Sequence, residues 1–140
     1  MRIYAESSAI LAWLLGEPAG GDSRTRLTEA EQVFSSVLTL VEIDRVLIRA
    51  QIVEGLNEGD VVERRRTLAR ASRHWNLVHI RDEVLERARR PFPTEPIRTL
   101  DALHLASTLS VGAAVPDLAV LSLDDSIRNA AAGLGFDVLP

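Results

Sequence analysis

The stretch Arg2-Ile3-Tyr4-Ala5-Glu6-Ser7-Ser8-Ala9-Ile10-Leu11-Ala12-Trp13-Leu14-Leu15-Gly16 decides the fold class. Arg2 to Ala5 is a short run, mostly apolar, before a charge, the pattern of a buried strand rather than a helix. Ser7 or Ser8 is suited to cap a helix, and Leu11, Leu14 and Leu15 then recur at helical spacing up to Gly16. A strand that passes into a helix within two residues is the building unit of α/β folds.

The same junction recurs along the chain. Pro18 to Gly21 breaks the chain before a polar helix of roughly Ser23 to Ala30. Gln32 to Ser36 reads as a strand, followed by a helix carrying Leu40, Ile43, Leu47 and Ile48. An arginine-rich helix is expected from about Gly59 to Trp75, then a strand over Leu77 to Ile80 and a helix over Asp82 to Arg89. Pro91, Pro93 and Pro96 make Arg90 to Arg98 an extended loop, since each proline removes a backbone donor. A helix from Thr99 to Leu109, a strand over Leu118 to Leu121, a helix from Asp124 to Ala132 and a strand over Phe136 to Leu139 complete the reading. The expectation is an α/β fold with a mainly parallel central sheet flanked by helices, residues 1–140 forming a single domain.

Composition removes several function classes. The chain has 140 residues, is 46% hydrophobic and carries a net charge of −4; all 16 basic residues are arginine. Without lysine there is no phosphate-binding P-loop and no Schiff-base chemistry. A phosphoacceptor receiver domain, which also places acids at strand ends, is set aside because it too needs a lysine. The absence of cysteine excludes disulfides, thiolate metal sites and cysteine nucleophiles. No apolar run approaches the ~20 residues of a membrane span, and Glu6, Ser7 and Ser8 interrupt the start where a leader would be apolar. A cytoplasmic protein without membrane contact is expected.

In open parallel sheets, ligands bind beyond the carboxyl ends of the strands. Glu6 follows the first strand, Glu42 falls in the first turn of the helix after the second, Asp101 opens the helix after the proline loop, and Asp124 closes a later strand. Capping explains three of them singly: Thr39 and Glu42 have capping-box spacing, Asp101 follows a Thr99 cap, and Asp124 or Asp125 can cap the next helix. Glu6 has no such role to fill ahead of two capping serines. Together, carboxylates crowded at one sheet edge need a counter-charge. A hard divalent cation supplies it and activates water against a phosphodiester.

With these residues in view, the chain resembles PIN-domain proteins of the VapC type, the toxin half of type II toxin–antitoxin pairs. The resemblance rests on Tyr4-Ala5-Glu6-Ser7-Ser8-Ala9, on Ser36-Val37-Leu38-Thr39-Leu40-Val41-Glu42, on Thr99-Leu100-Asp101-Ala102-Leu103-His104-Leu105-Ala106 and on Val120-Leu121-Ser122-Leu123-Asp124. It implies a PIN-like three-layer fold and Mg²⁺ or Mn²⁺ held by Glu6, Glu42, Asp101 and Asp124, with Ser8 and Ser122 in support. It also implies endoribonuclease activity, homodimerisation, and inhibition by a cognate antitoxin. The family usually has Asp where this chain has Glu6, one methylene longer. The alternative is a PIN-like module that has lost its chemistry and mainly binds a protein partner.

Three further features bear on function. Between Val61 and Arg90 the balance is +5, against −9 for the remainder, so Arg70 and Arg73 are candidate RNA contacts beside an acidic pocket, or simply part of a solvated helix face. His104, three residues after Asp101, reads as a partly buried helix residue, and His74 and His79 as structural. Trp13, Leu14, Val46 and Leu47 read as core or dimer interface, and Asp125 as the rival of Asp124 for the pocket.

Overall fold

The computed structural model describes residues 1–140. The elements run β1 (Arg2–Ala5), α1 (Ser7–Leu14), α2 (Gly20–Glu29), β2 (Gln32–Ser36), α3 (Val37–Val53), α4 (Glu58–Ser72), β3 (Asn76–Val78), α5 (Asp82–Ala88), α6 (Thr99–Gly112), β4 (Leu118–Leu121), α7 (Asp125–Gly133) and β5 (Asp137–Leu139). The strands form one sheet of order β3-β2-β1-β4-β5, parallel throughout. Every element expected from the sequence is present: β1, β2 and β4 with the expected bounds, the others with shifted ends. The second helix starts at Gly20 rather than Ser23, and Gly20 lies against the end of α1. A Cβ there would sit 2.3 Å from the Ala12 carbonyl oxygen, so only glycine allows α2 this close to α1.

Side chains alternate across β1 and so divide the core. Ile3 and Ala5 join Ala9, Ile10, Ile43, Leu47, Val61 and Leu68 from α1, α3 and α4. On the opposite face Val120 of β4 meets Leu105 of α6 and Ile127, Ala130 and Ala131 of α7. Tyr4 turns toward this second side and is wholly buried. Helices therefore cover both faces of the sheet, as parallel strands buried on both sides require. Leu14 and Leu47 are core residues, and Trp13 packs on the same cluster. Phe92 is buried under the proline loop and Ile97 packs beside it, anchoring that loop to the second face.

The topology locates the site. From β1 the chain moves outward through β2 to β3, then returns across the sheet to β4 and β5 on the other side of β1. The carboxyl ends of β1 and β4 are thus the switch point at which a crevice opens. Glu6 and Asp124 follow those two strands.

Candidate metal centre

Glu6 is 5% exposed and sits between β1 and α1. Its backbone N–H extends the sheet by donating to Leu121 O at 3.0 Å. Its side chain is the N-cap of α1, Oε1 accepting from Ser8 N at 3.1 Å. This corrects two expectations: neither Ser7 nor Ser8 is the cap, and Glu6 does fill a capping role. Released from capping, the serines turn their hydroxyls onto the same carboxylate. Ser7 Oγ donates to Oε1 at 2.6 Å and Ser8 Oγ to Oε2 at 2.5 Å. Ser122 Oγ adds a further bond to Oε2 at 2.8 Å. Ser8 Oγ and Ser122 Oγ in turn accept the N–H groups of Leu123 and Asp124, at 2.9 and 3.1 Å. Four donors thus hold the buried carboxylate.

Glu42 comes from α3. The capping-box expectation fails, because α3 begins at Val37 with Ser36 as its N-cap, accepting from Leu38 N at 3.1 Å. Glu42 therefore lies in the second turn and reaches no orphan amide. It faces His104 of α6 instead, with Nε2 and Oε1 2.5 Å apart. The other face of that ring meets the phenol of Tyr4, Oη to Nδ1 2.9 Å. His104 and Tyr4 are each 1% exposed, and burial pushes the Tyr4 phenol far above its ordinary range, so it keeps its proton. Ser7 Oγ bridges toward Glu42 Oε2 at 3.3 Å, joining the two glutamates.

Asp101 and Asp124 stand at the mouth. Asp124 is the N-cap of α7, its Oδ1 accepting from Ile127 N at 3.0 Å, so the capping and pocket readings hold together. Asp125 is the first helical residue. Asp101 is the third residue of α6, whose N-cap is Arg98 rather than Thr99 and makes no side-chain cap bond. Asp101 and Asp124 line a groove of about 530 Å³ with Pro96, Ile97, Arg98 and Ser126. Burial, then the charges of Asp124 and Glu6, raise the Asp101 carboxyl above its ordinary value, and Glu42 adds to this.

The residues present fit a hard cation. Glu6, Asp101 and Asp124 have no arginine or histidine nitrogen within 4.0 Å, and Glu42 has only His104. Oxygen ligands that repel one another suit Mg²⁺ or Mn²⁺. One potential ligand atom from each of Glu6, Glu42 and His104 also lies within 4.8 Å of the others.

The sequence placed the acids but missed the part of His104, Tyr4, Ser7 and Arg98. Asp101-Ala102-Leu103-His104 did hold one signal, the i, i+3 spacing that puts both polar residues on one helix face. Arg70 and Arg73 are not brought to the acids. Ala71 and His74, which lie between and beside them, line a cleft with Glu31 and Val33 at the amino end of β2. That is the far end of a strand about 15 Å long. Arg70 pairs there with Glu63 at 3.7 Å.

The chain is similar to known proteins in sequence and in fold. The PIN domain model matches residues 3–133. Ribonuclease VapC46 of Mycobacterium tuberculosis is 34% identical over 137 residues, covering 98% of this chain and 95% of the relative. Among solved structures, VapC20 of Mycobacterium tuberculosis, described as a sarcin-ricin loop cleaving toxin, superposes with a TM-score of 0.67 at 16% identity, over 96% of this chain and 95% of that one. A toxin-antitoxin complex from Klebsiella pneumoniae gives 0.63 at 18% identity, over 99% and 96%. The chain belongs to the PIN domain family.

Proposed function

We propose that this protein is a divalent-metal-dependent endoribonuclease and the toxin of a type II toxin–antitoxin pair. One observation carries the reading: Glu6 and Glu42 meet at the switch point of the sheet, Asp101 in the groove it shares with Asp124 feels the charges of Asp124, Glu6 and Glu42, and none of the four pairs with an arginine. Family membership and relatives named as ribonucleases support it. Mg²⁺ or Mn²⁺, held by Glu6, Glu42, Asp101 and Asp124, would polarise a phosphoryl oxygen and lower the pKa of an attacking water. Ser7, Ser8 and Ser122 fix the Glu6 carboxylate from within. Asp101 and Asp124 face the groove that admits the RNA phosphodiester, and Arg98 at its wall offers the backbone a positive charge.

A cognate antitoxin is the protein partner, in keeping with the toxin-antitoxin complex among the similar folds. The protein acts in the cytoplasm as a homodimer. No helix is long and apolar enough to cross a membrane. A second reading, a PIN-like module that only binds its partner, draws on the saturation of Glu6. The four donors occupy the roughly four lone-pair positions of an ionised carboxylate. One experiment separates the two. Antitoxin-free protein is incubated with structured RNA and Mg²⁺ or Mn²⁺, alongside Asp101→Asn. Cleavage that needs metal and is lost in the variant supports the enzyme; no cleavage with either metal leaves the binding module.

A further inference from the structure

The geometry points to His104 as a positioning residue for Glu42, with its tautomer set by Glu42 and matched by Tyr4, and not as a ligand of the metal. Proximity alone would favour a ligand, because potential donor atoms of His104, Glu6 and Glu42 lie within 4.8 Å of one another. Hydrogen-bond logic decides otherwise. His104 Nε2 faces Glu42 Oε1 at 2.5 Å, and an ionised carboxylate oxygen can only accept, so Nε2 carries a proton. In the neutral imidazole Nδ1 must then accept, and the atom facing it at 2.9 Å is the Tyr4 hydroxyl.

The chain of bonds therefore runs from Tyr4 O–H to Nδ1 and from Nε2–H to Glu42 Oε1. Each residue in it comes from a different element: β1, α6 and α3. With Oε1 tied to the ring, Oε2 is turned toward Ser7 and Glu6, the side from which the acids approach. A long glutamate on a helix surface would otherwise sample several rotamers. Fixing it in advance is the service that partners of ligand carboxylates provide, and their loss typically weakens metal affinity by about 10–100-fold. A proton on Nε2 also leaves that nitrogen without the lone pair a metal ligand needs.

This inference rests on the metal-centre reading above, and its test is made without RNA. Mn²⁺ affinity is measured by calorimetry for the parent, Asp101→Asn, His104→Leu, His104→Gln and Tyr4→Phe, each first checked for cooperative thermal unfolding. Long-range ¹H–¹⁵N spectra of the imidazole are recorded metal-free and with Mg²⁺. In the parent, Nε2 is expected to be protonated and Nδ1 unprotonated in both states. His104→Leu should weaken Mn²⁺ binding by about 10-fold or more. His104→Gln, whose amide can donate from near the Nε2 position, should stay within about 3-fold of the parent on the same scale. Tyr4→Phe should keep Nε2 protonated, because Glu42 still accepts its proton, and loss of that proton would overturn the inference.

Loss of the Nε2 proton on adding Mg²⁺, or His104→Gln binding as weakly as His104→Leu, would make His104 a ligand and overturn the inference. Parent-like affinity in a folded His104→Leu would overturn it as well. If Asp101→Asn leaves Mn²⁺ affinity unchanged, the metal centre itself is wrong. If only Asp101→Asn weakens binding, the centre stands and the positioning role falls.

Discussion

Ser122 Oγ donates to Glu6 Oε2 at 2.8 Å, joining the end of β4 to the end of β1 across 116 positions of sequence. The same hydroxyl accepts from Asp124 N at 3.1 Å, so one side chain spaces a buried acid from one at the groove mouth. Ser122→Ala removes a donor to a charged acceptor and leaves an amide without its partner. The expected cost is about 1.5–3 kcal/mol, from the usual worth of hydrogen bonds to charged groups. Urea unfolding reads it directly, and an unchanged midpoint would show that the serine carries no stability.

Glu6 has both a structural and a chemical task, and two substitutions separate them. Glu6→Gln keeps the length but sets an amide group against hydroxyls that now donate, and it removes the charge. RNA cleavage should fall by about 10-fold or more, on the scale of losing a group that stabilises a developing charge. Glu6→Asp retains a carboxylate and a good N-cap, so metal-dependent cleavage should persist or rise. Cleavage by Glu6→Gln at the parent rate would remove Glu6 from the chemistry.

Asp101 carries a pH signature. Unfolded, it loses its proton near 3.8, while in the folded chain burial and the facing acids hold the proton to higher pH. Above 3.8 the folded state therefore binds more protons than the unfolded state, and stability falls as pH rises. The loss levels off once the folded carboxyl has ionised. Asp101→Asn should raise the metal-free Tm at pH 7. It should also flatten this part of the pH profile and reduce the stabilisation by Mn²⁺. A lowered Tm would mean that the Asp101 carboxylate is compensated within the fold.

Arginines at the two ends of the sheet should behave differently toward RNA. Arg98 lines the groove and pairs with no carboxylate, whereas Arg70 is paired with Glu63 beside the amino end of β2. Arg98→Ala should reduce the salt slope of RNA binding by about 0.7, one single-strand phosphate contact. The Arg70→Ala, Arg73→Ala double variant should leave the slope unchanged. Binding measured by fluorescence anisotropy from low to moderate salt, with Ca²⁺ in place of the activating ion, distinguishes them. A reversal would move the RNA path to α4.

The alternation of strands and helices, the acids that follow the strands, and the order Glu6, Glu42, Asp101, Asp124 were all legible in the chain. Burial periodicity and breaks at glycine and proline act over a few residues and are written locally. The caps were less legible. Glu6 took a place that Ser7 or Ser8 could have filled, because Ser122, brought beside Glu6 by pairing of β1 with β4, joins the neighbouring Ser8 in supplying donors that make a buried carboxylate tolerable there.

By itself the sequence determined that this is a parallel α/β protein with acids at strand ends and no lysine or cysteine chemistry. Only the tertiary structure decided that His104 meets Glu42 across 62 residues, that Tyr4 lies behind the ring, and that Arg70 and Arg73 sit away from the acids. The physical reason is range. A side chain's preference for core or water is fixed by its own chemistry and its near neighbours. Which residue of α6 faces which residue of α3 is fixed by how both helices pack on the sheet, a property no local pattern contains.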